Sequence, residues 1–88
     1  MNEAKDVSIN NASHQTVTFQ AKWSGGEGPV QRVMSNGLSR LDMRGAPNGT
    51  TVTIEIQGWQ SFQFKFKNDG NHGDLKLSSG GGIQWTSM

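Results

Sequence analysis

The sequence predicts an all-β protein, and three observations support that prediction. Residues 60–67 alternate between aromatic and polar side chains, with Phe62, Phe64 and Phe66 at every second position. A period of two places the three rings on one face of a β-strand and the polar groups on the other. Turn-forming residues recur about every ten positions, and no segment has the apolar spacing of an amphipathic helix.

Short segments with the same alternation follow one another along the chain. The alternation of apolar and polar side chains is regular before residue 24 and after residue 50, but residues 30–44 show it only in part. The Asn-Gly pairs at 36–37 and 48–49 are strong turn signals, because both residue types tolerate positive φ. In chain order, the apolar positions are Val7 and Ile9; Val17, Phe19, Ala21 and Trp23; Val33, Leu41 and Met43; Val52, Ile54 and Ile56; Phe62, Phe64 and Phe66; Leu75 and Leu77; and Ile83 and Trp85.

Regularly spaced short strands are typical of a β-sandwich or a small β-barrel. Regular alternation favours antiparallel sheets with one buried face and one solvent-exposed face. We therefore predict a small antiparallel β-sandwich of about seven or eight short strands, with a small β-barrel as the alternative. A single domain spans residues 1–88, and the polar residues 1–5 are expected to form a flexible end.

The composition narrows the classes of function. Eight Lys and Arg against seven Asp and Glu leave a net charge of +1, which is too balanced for general electrostatic capture of nucleic acid or acidic membranes. The absence of cysteine excludes disulfides, thiolate metal sites and a thiol nucleophile. Because no apolar run reaches the length of a signal peptide or a membrane span, we expect a cytoplasmic protein or one exported without a signal peptide.

Catalytic motifs are absent from the sequence. The two histidines, His14 and His72, lie in polar, turn-like segments, and no familiar nucleophile, zinc-protease or phosphate-loop motif is present. The seven acidic residues are scattered, and a small β-domain offers little room for the cleft that paired catalytic carboxylates need. The sequence therefore predicts a protein that is not an enzyme.

Residues 68–74 form the longest polar loop and are rich in oxygen atoms that could bind a metal. Calcium prefers several oxygen ligands, including carboxylates, on a flexible loop. Asp69 and Asp74 are the only carboxylates here, and their spacing does not match an EF-hand. We expect a hairpin loop and no cofactor, with calcium binding as a lesser alternative.

Three tryptophans in a chain of this length suggest a carbohydrate site. A sugar places its C–H face on an aromatic ring, while planar polar groups bind its hydroxyls. Trp59 follows Gly58 in a turn and is predicted to be exposed. Trp23 and Trp85 are in phase with inward residues and are predicted to belong to the core.

The predicted ligand site combines Trp59 with the polar loop. Asp69, Asn71 and Asp74 are the expected hydrogen-bonding partners of ligand hydroxyls. However, the strand between Trp59 and this loop spans roughly 26 Å. The site therefore belongs to one of the two features, unless a second subunit brings them together.

Three lysines form a candidate basic patch. Lys65 and Lys67 point away from the Phe rings, and Lys76 points away from its apolar neighbours. If residues 60–67 and 74–78 pair as a hairpin, these lysines share one sheet face. They would then bind an acidic group or protect an exposed strand against aggregation.

Together these features favour a non-enzymatic recognition module, and a small carbohydrate-binding, lectin-like protein is the leading hypothesis. Binding to another protein, a membrane surface or a larger assembly such as a toxin system is the chief alternative. A nucleic-acid-binding β-barrel is a further one. Because a small domain without disulfides gains stability by covering its strand edges, we also expect a homo-oligomer.

Overall fold

The computed structural model describes residues 1–88 and consists of strands, turns and loops. It has no helix that is long and apolar enough to cross a membrane. Two sheets pack against each other, so the structure confirms the predicted β-sandwich in place of the alternative barrel. The strands are β1 (Glu3–Ala4), β2 (Asp6–Ala12), β3 (Val17–Trp23), β4 (Gly26–Glu27), β5 (Gln31–Val33), β6 (Leu38–Arg40), β7 (Thr51–Ile56), β8 (Phe62–Phe66), β9 (His72–Ser78) and β10 (Gly82–Ser87).

The six-stranded sheet has the order β1-β8-β7-β3-β4, and β5 also pairs with β3. The four-stranded sheet has the order β10-β9-β2-β6. Most neighbours are antiparallel, but β1 runs parallel to β8 and β2 runs parallel to β9. The prediction of purely antiparallel sheets is wrong at these two pairs. Side chains alternate in the same way in parallel and antiparallel strands, so the sequence pattern could not distinguish them.

The first residues of the chain are part of the six-stranded sheet. Glu3 and Ala4 pair with the end of β8, and Ala4 is completely buried. The backbone N–H of Lys65 also donates to the carbonyl of Asn2, with N···O 2.8 Å. The prediction that residues 1–5 form a flexible end is therefore wrong for residues 2–4. Strands β1, β4, β5 and β6 have only two or three residues each, too few to show alternation, which is why ten strands exceed the number predicted.

The core lies between the two sheets and follows the alternating pattern of the sequence. Phe64 is completely buried, and Phe62 and Phe66 flank it as half-buried rings. Trp23 and Trp85 pack against the core as predicted, although both are only half-buried. The buried apolar residues are Ala4, Val7, Ile9, Val17, Phe19, Ala21, Val33, Leu41, Val52, Ile54, Ile56, Phe64, Leu75 and Leu77.

The strand directions place the connecting loops at two opposite ends of the sandwich. Residues 13–16, 57–61 and 79–81 follow β2, β7 and β9 and gather at one end, which we call the groove end. Residues 67–71, which precede β9, lie at the other end together with the start of β2. The two ends are separated by the length of β9, about 20 Å for seven residues.

Candidate functional site

The groove end carries a groove of about 330 Å³ that is built from three loops. We call it the Trp59 groove, because Trp59 is its one hydrophobic residue. The lining residues are Ser13, His14, Gln15, Gly58, Trp59, Ser79, Gly80 and Gly81.

Trp59 is held firmly in the wall of this groove. Its indole Nε1–H donates to the backbone carbonyl of Ser78, with N···O 3.1 Å, which links the loop after β7 to the end of β9. Its backbone N–H donates to the carbonyl of Ile56 across a turn in which Gly58 has a φ of 91°, a conformation that favours glycine. Trp59 is therefore half-buried and packed against the core, and the prediction of a freely exposed ring is wrong. The turn is at the surface, but the indole reaches a carbonyl of the other sheet.

A buried polar network fixes the loop that carries His14 and Gln15. The Asn11 side chain donates from Nδ2 to the carbonyls of Gln15 (2.8 Å) and Val33 (3.1 Å). Its Oδ1 accepts hydrogen bonds from the Ser13 backbone N–H (3.0 Å) and from the Ser13 hydroxyl (2.6 Å). The network was not predicted from the sequence, although a polar Asn11 in phase with the inward residues of its strand was a signal for it.

The third wall of the groove is a glycine turn. Gly80 and Gly81 have φ values of 86° and 89°, which side-chain-bearing residues rarely adopt. No atom lies within 4 Å of the position that a Cβ would occupy at either residue. Both glycines are exposed, so the space beside this turn is open to a ligand.

The chemistry of the groove suits a neutral, hydroxyl-rich ligand. No Asp, Glu, Lys or Arg lines it, and the imidazole of His14 is its one ionisable side chain. Gln15 offers an amide that both donates and accepts, and Ser79 offers a hydroxyl. A fixed aromatic surface beside such groups is the arrangement that recognises the two faces of a sugar.

The other predicted ligand residues lie away from the Trp59 groove. Asp69 and Asn71 belong to the 67–71 loop at the opposite end, where the Asn71 carbonyl accepts a hydrogen bond from the Lys5 N–H at 2.9 Å. Asp74 is on β9, on the outer face of the four-stranded sheet. The structure thus places Trp59 and the polar loop at opposite ends of β9. No three His, Asp or Glu side chains come together in a group that could hold a metal ion.

The predicted basic patch is divided between the two sheets. Lys65 lies on β8 of the six-stranded sheet and Lys76 on β9 of the four-stranded sheet. Because each alternates with inward residues, they lie on opposite outer faces of the sandwich. Lys67 follows β8 and is likewise separated from Lys76. The expected hairpin between residues 60–67 and 74–78 is wrong, since the chain crosses from one sheet to the other between them.

A hydrogen-bonded chain of Asp6, His72 and Ser8 lies on the outer face of the four-stranded sheet. Asp6 Oδ1 is 2.6 Å from His72 Nδ1, and His72 Nε2 is 3.1 Å from Ser8 Oγ. Arg40 Nη1 lies 3.7 Å from the other Asp6 oxygen. These hydrogen bonds were not predicted from the sequence, because His72 is 66 residues from Asp6 and 64 from Ser8.

The order of acid, imidazole and hydroxyl is that of a nucleophilic triad, but the surroundings differ. Ser8 is only 8% exposed and lies between the ladders that join β2 to β9 and to β6. The backbone N–H groups beside it are engaged in those ladders, so they do not form an oxyanion hole. The Asp6–His72–Ser8 hydrogen bonds therefore tie β2 to β9, and the Arg40–Asp6 contact adds β6.

A second groove, of about 480 Å³, opens at the end of the sandwich opposite the Trp59 groove. Leu41, Met43 and Phe66 line it, and charged residues surround them. Arg44 Nη2 is 3.0 Å from Asp42 Oδ2. This side-chain contact raises the pKa of Arg44. Together with the hydrogen bond from the Arg44 backbone N–H, it also lowers the pKa of the Asp42 carboxyl. The pair neutralises a part of the rim that would otherwise attract an anion.

No family model matches the chain, and no match was found among curated proteins or solved structures.

Proposed function

We propose that this protein is a non-enzymatic recognition module that binds a neutral glycan in the Trp59 groove. The observation that best supports the proposal is a fixed indole within a lining that is otherwise polar and uncharged. An anionic or cationic ligand would find no fixed opposite charge there. A neutral polyhydroxylated ligand would find both an aromatic surface and groups for its hydroxyls.

The roles of the groove residues follow from their contacts. The Trp59 Nε1–H is already bound to the Ser78 carbonyl, so the indole contributes its ring surface rather than a free donor. Hydrogen bonds to sugar hydroxyls would come from the Gln15 amide, the Ser79 hydroxyl and the backbone of the glycine turn.

The size and rigidity of the groove set the expected ligand. Its volume of about 330 Å³ lies near the lower end of the roughly 300–1,000 Å³ of ligand sites, which suits about one or two sugar units. The Asn11 network and the Trp59–Ser78 hydrogen bond hold two of the three loops in place before binding. Such preorganisation reduces the entropy lost when a ligand binds.

Titration of neutral mono- and disaccharides into ¹⁵N-labelled protein tests the proposal. We expect saturable shift changes at residues 13–15, 57–59 and 79–81 and at the Trp59 indole N–H, and none at the Trp23 indole. Carboxylated sugars serve as the matched charged probes and should bind more weakly. The proposal fails if no neutral saccharide shifts the groove signals.

Variants then test which residues of the groove contribute to binding. Gln15→Ala should weaken binding by up to about tenfold, the worth of one hydrogen bond. Trp59→Phe should also weaken it while retaining most of the packing. Gln63→Ala, in the outer-facing Gln63–Thr53 hydrogen bond of the six-stranded sheet, is the control and should leave binding unchanged. Equal losses in the Gln15 and Gln63 variants would place the ligand outside the Trp59 groove.

A further inference from the structure

Strand β10 is the one long and unprotected edge of the sandwich. The other edge strands, β1, β4, β5 and β6, have two or three residues each, whereas β10 has six. Its sequence Gly-Ile-Gln-Trp-Thr-Ser contains no charged residue and no proline. Proteins usually protect such edges with lysines, prolines or short strands, since an open edge is a template for a further strand.

The direction of the free backbone groups on β10 can be read from the structure. The Met88 N–H donates to the His72 carbonyl at 2.9 Å, in the same register that pairs β10 with β9. In an antiparallel ladder, residues alternate between facing the partner and facing away. Ile83, Trp85 and Ser87 therefore direct their N–H and C=O groups away from β9, towards solvent.

We propose that a second copy of this protein pairs with this edge, antiparallel, about a two-fold axis at Trp85. In this register Trp85 faces Trp85 of the second copy, and Ile83 faces Ser87 of the second copy. Each outward N–H and C=O of these residues then has a hydrogen-bonding partner. The two four-stranded sheets become one continuous sheet, and the interface is self-complementary, as a two-fold requires.

The side chains fit this register on the outer face of the sheet. Gly82, which has no side chain, faces Met88 of the second copy, and Met88 is 73% exposed in the single chain. Gln84 faces Thr86 of the second copy, which pairs an amide with a hydroxyl across the strands. No charged side chain on β10 opposes a like charge on the second copy.

The inner face also favours a second copy. Ile83 and Trp85 pack against the core but are only half-buried, because β10 has no neighbouring strand on the side away from β9. The added strand covers that side. Antiparallel pairing also directs the two groove ends in opposite directions. If the proposed glycan site is correct, the dimer would cross-link two glycan-bearing surfaces rather than bind one surface twice.

Sedimentation velocity at micromolar concentration tests the interface, and the wild type is expected to sediment as a dimer. Gln84→Lys/Thr86→Lys places lysine opposite lysine between the copies and should abolish the dimer. Gln84→Glu/Thr86→Lys places opposite charges between the copies and should retain it. Within the chain, the register places Gln84 beside Lys76 and Thr86 beside Asp74, so the second variant also introduces favourable pairs and should fold.

A backbone variant provides an independent test. Ser87→Pro removes an outward N–H that makes no bond to β9 and should abolish the dimer with little change in melting temperature, whereas Ser87→Ala should leave the dimer intact. A monomeric wild type would overturn the proposal and leave the edge for a strand of another partner. A dimer that survives both Gln84→Lys/Thr86→Lys and folded Ser87→Pro would overturn it in favour of another face.

Discussion

The indole of Trp85 stacks on the ring of Phe62, with ring centroids 5.3 Å apart and an angle of 17° between the planes. Phe64 also contacts this indole, with centroids 5.8 Å apart. Since Trp85 is on β10 and both Phe rings are on β8, this cluster joins the edge of one sheet to the other sheet. Gly73 on β9 lies against the six-membered ring of Trp85, so the indole is held from both sides.

Gly73→Ala is expected to displace Trp85. A methyl group at this position would overlap the indole, and overpacking of a core contact usually costs about 1–3 kcal/mol. Chemical denaturation should show the loss, and the tryptophan emission should change with it. Gly82→Ala is the control, because the nearest neighbouring atom, Ser78 Cβ, would be 3.4 Å away. Equal stability of the two variants would show that the indole can move without cost.

Phe64→Ala is expected to reduce the free energy of unfolding by about 3–5 kcal/mol, the usual range for a buried Phe. The ring is completely buried and contacts Trp85. Lys65→Ala changes the neighbouring side chain on the outer face and should alter stability by less than about 0.5 kcal/mol. Urea unfolding of the two variants measures the contrast. A similar loss in both would contradict the assignment of faces on β8.

Asn11→Ala is expected to destabilise the protein and to loosen the Trp59 groove. It removes four hydrogen bonds within the structure and leaves buried partners unsatisfied, which we expect to cost about 2–3 kcal/mol. Amide hydrogen exchange at residues 13–15 should accelerate. Asn10→Ala, on the outer face of β2, is the control and should stay within about 0.5 kcal/mol of the wild type. Unchanged exchange in Asn11→Ala would show that the network does not hold the loop.

Arg44→Gln is expected to raise the pKa of Asp42 part of the way towards its ordinary value of 3.8. The side-chain contact with Arg44 is the main cause of the low pKa, and the Arg44 backbone N–H, which donates to Asp42 Oδ1 at 3.2 Å, remains in the variant. Because the pKa in the folded protein is lowered, the pair stabilises the fold above the unfolded pKa. That contribution is lost as the pH falls through the folded pKa.

An NMR titration of the side-chain carboxyl carbons measures the change at Asp42. Arg32→Gln removes an exposed arginine elsewhere on the surface and serves as the control. No change in the Asp42 titration in Arg44→Gln would show that the backbone hydrogen bond alone lowers the pKa.

The candidate site was predictable only in part. Trp59 was selected from its turn, and it does line a polar groove, but its partners there are Gln15 and Ser79 rather than Asp69 and Asn71. Loops that follow different strands converge only when those strands lie in register at one end of the sandwich. The sequence carries no local sign of that convergence.

The amino-acid sequence by itself determined that the protein is all-β and which side chains of its long strands face inward. Alternation is a property of extended backbone, so it holds whichever strand lies beside it. Only the tertiary structure decided which strands are neighbours: it put β8 and β9 in different sheets, set β2 parallel to β9, and brought His72 to Asp6 and Ser8. The physical reason is that strand pairing joins residues far apart in the chain, and its free energy depends on the packing of both sheets together.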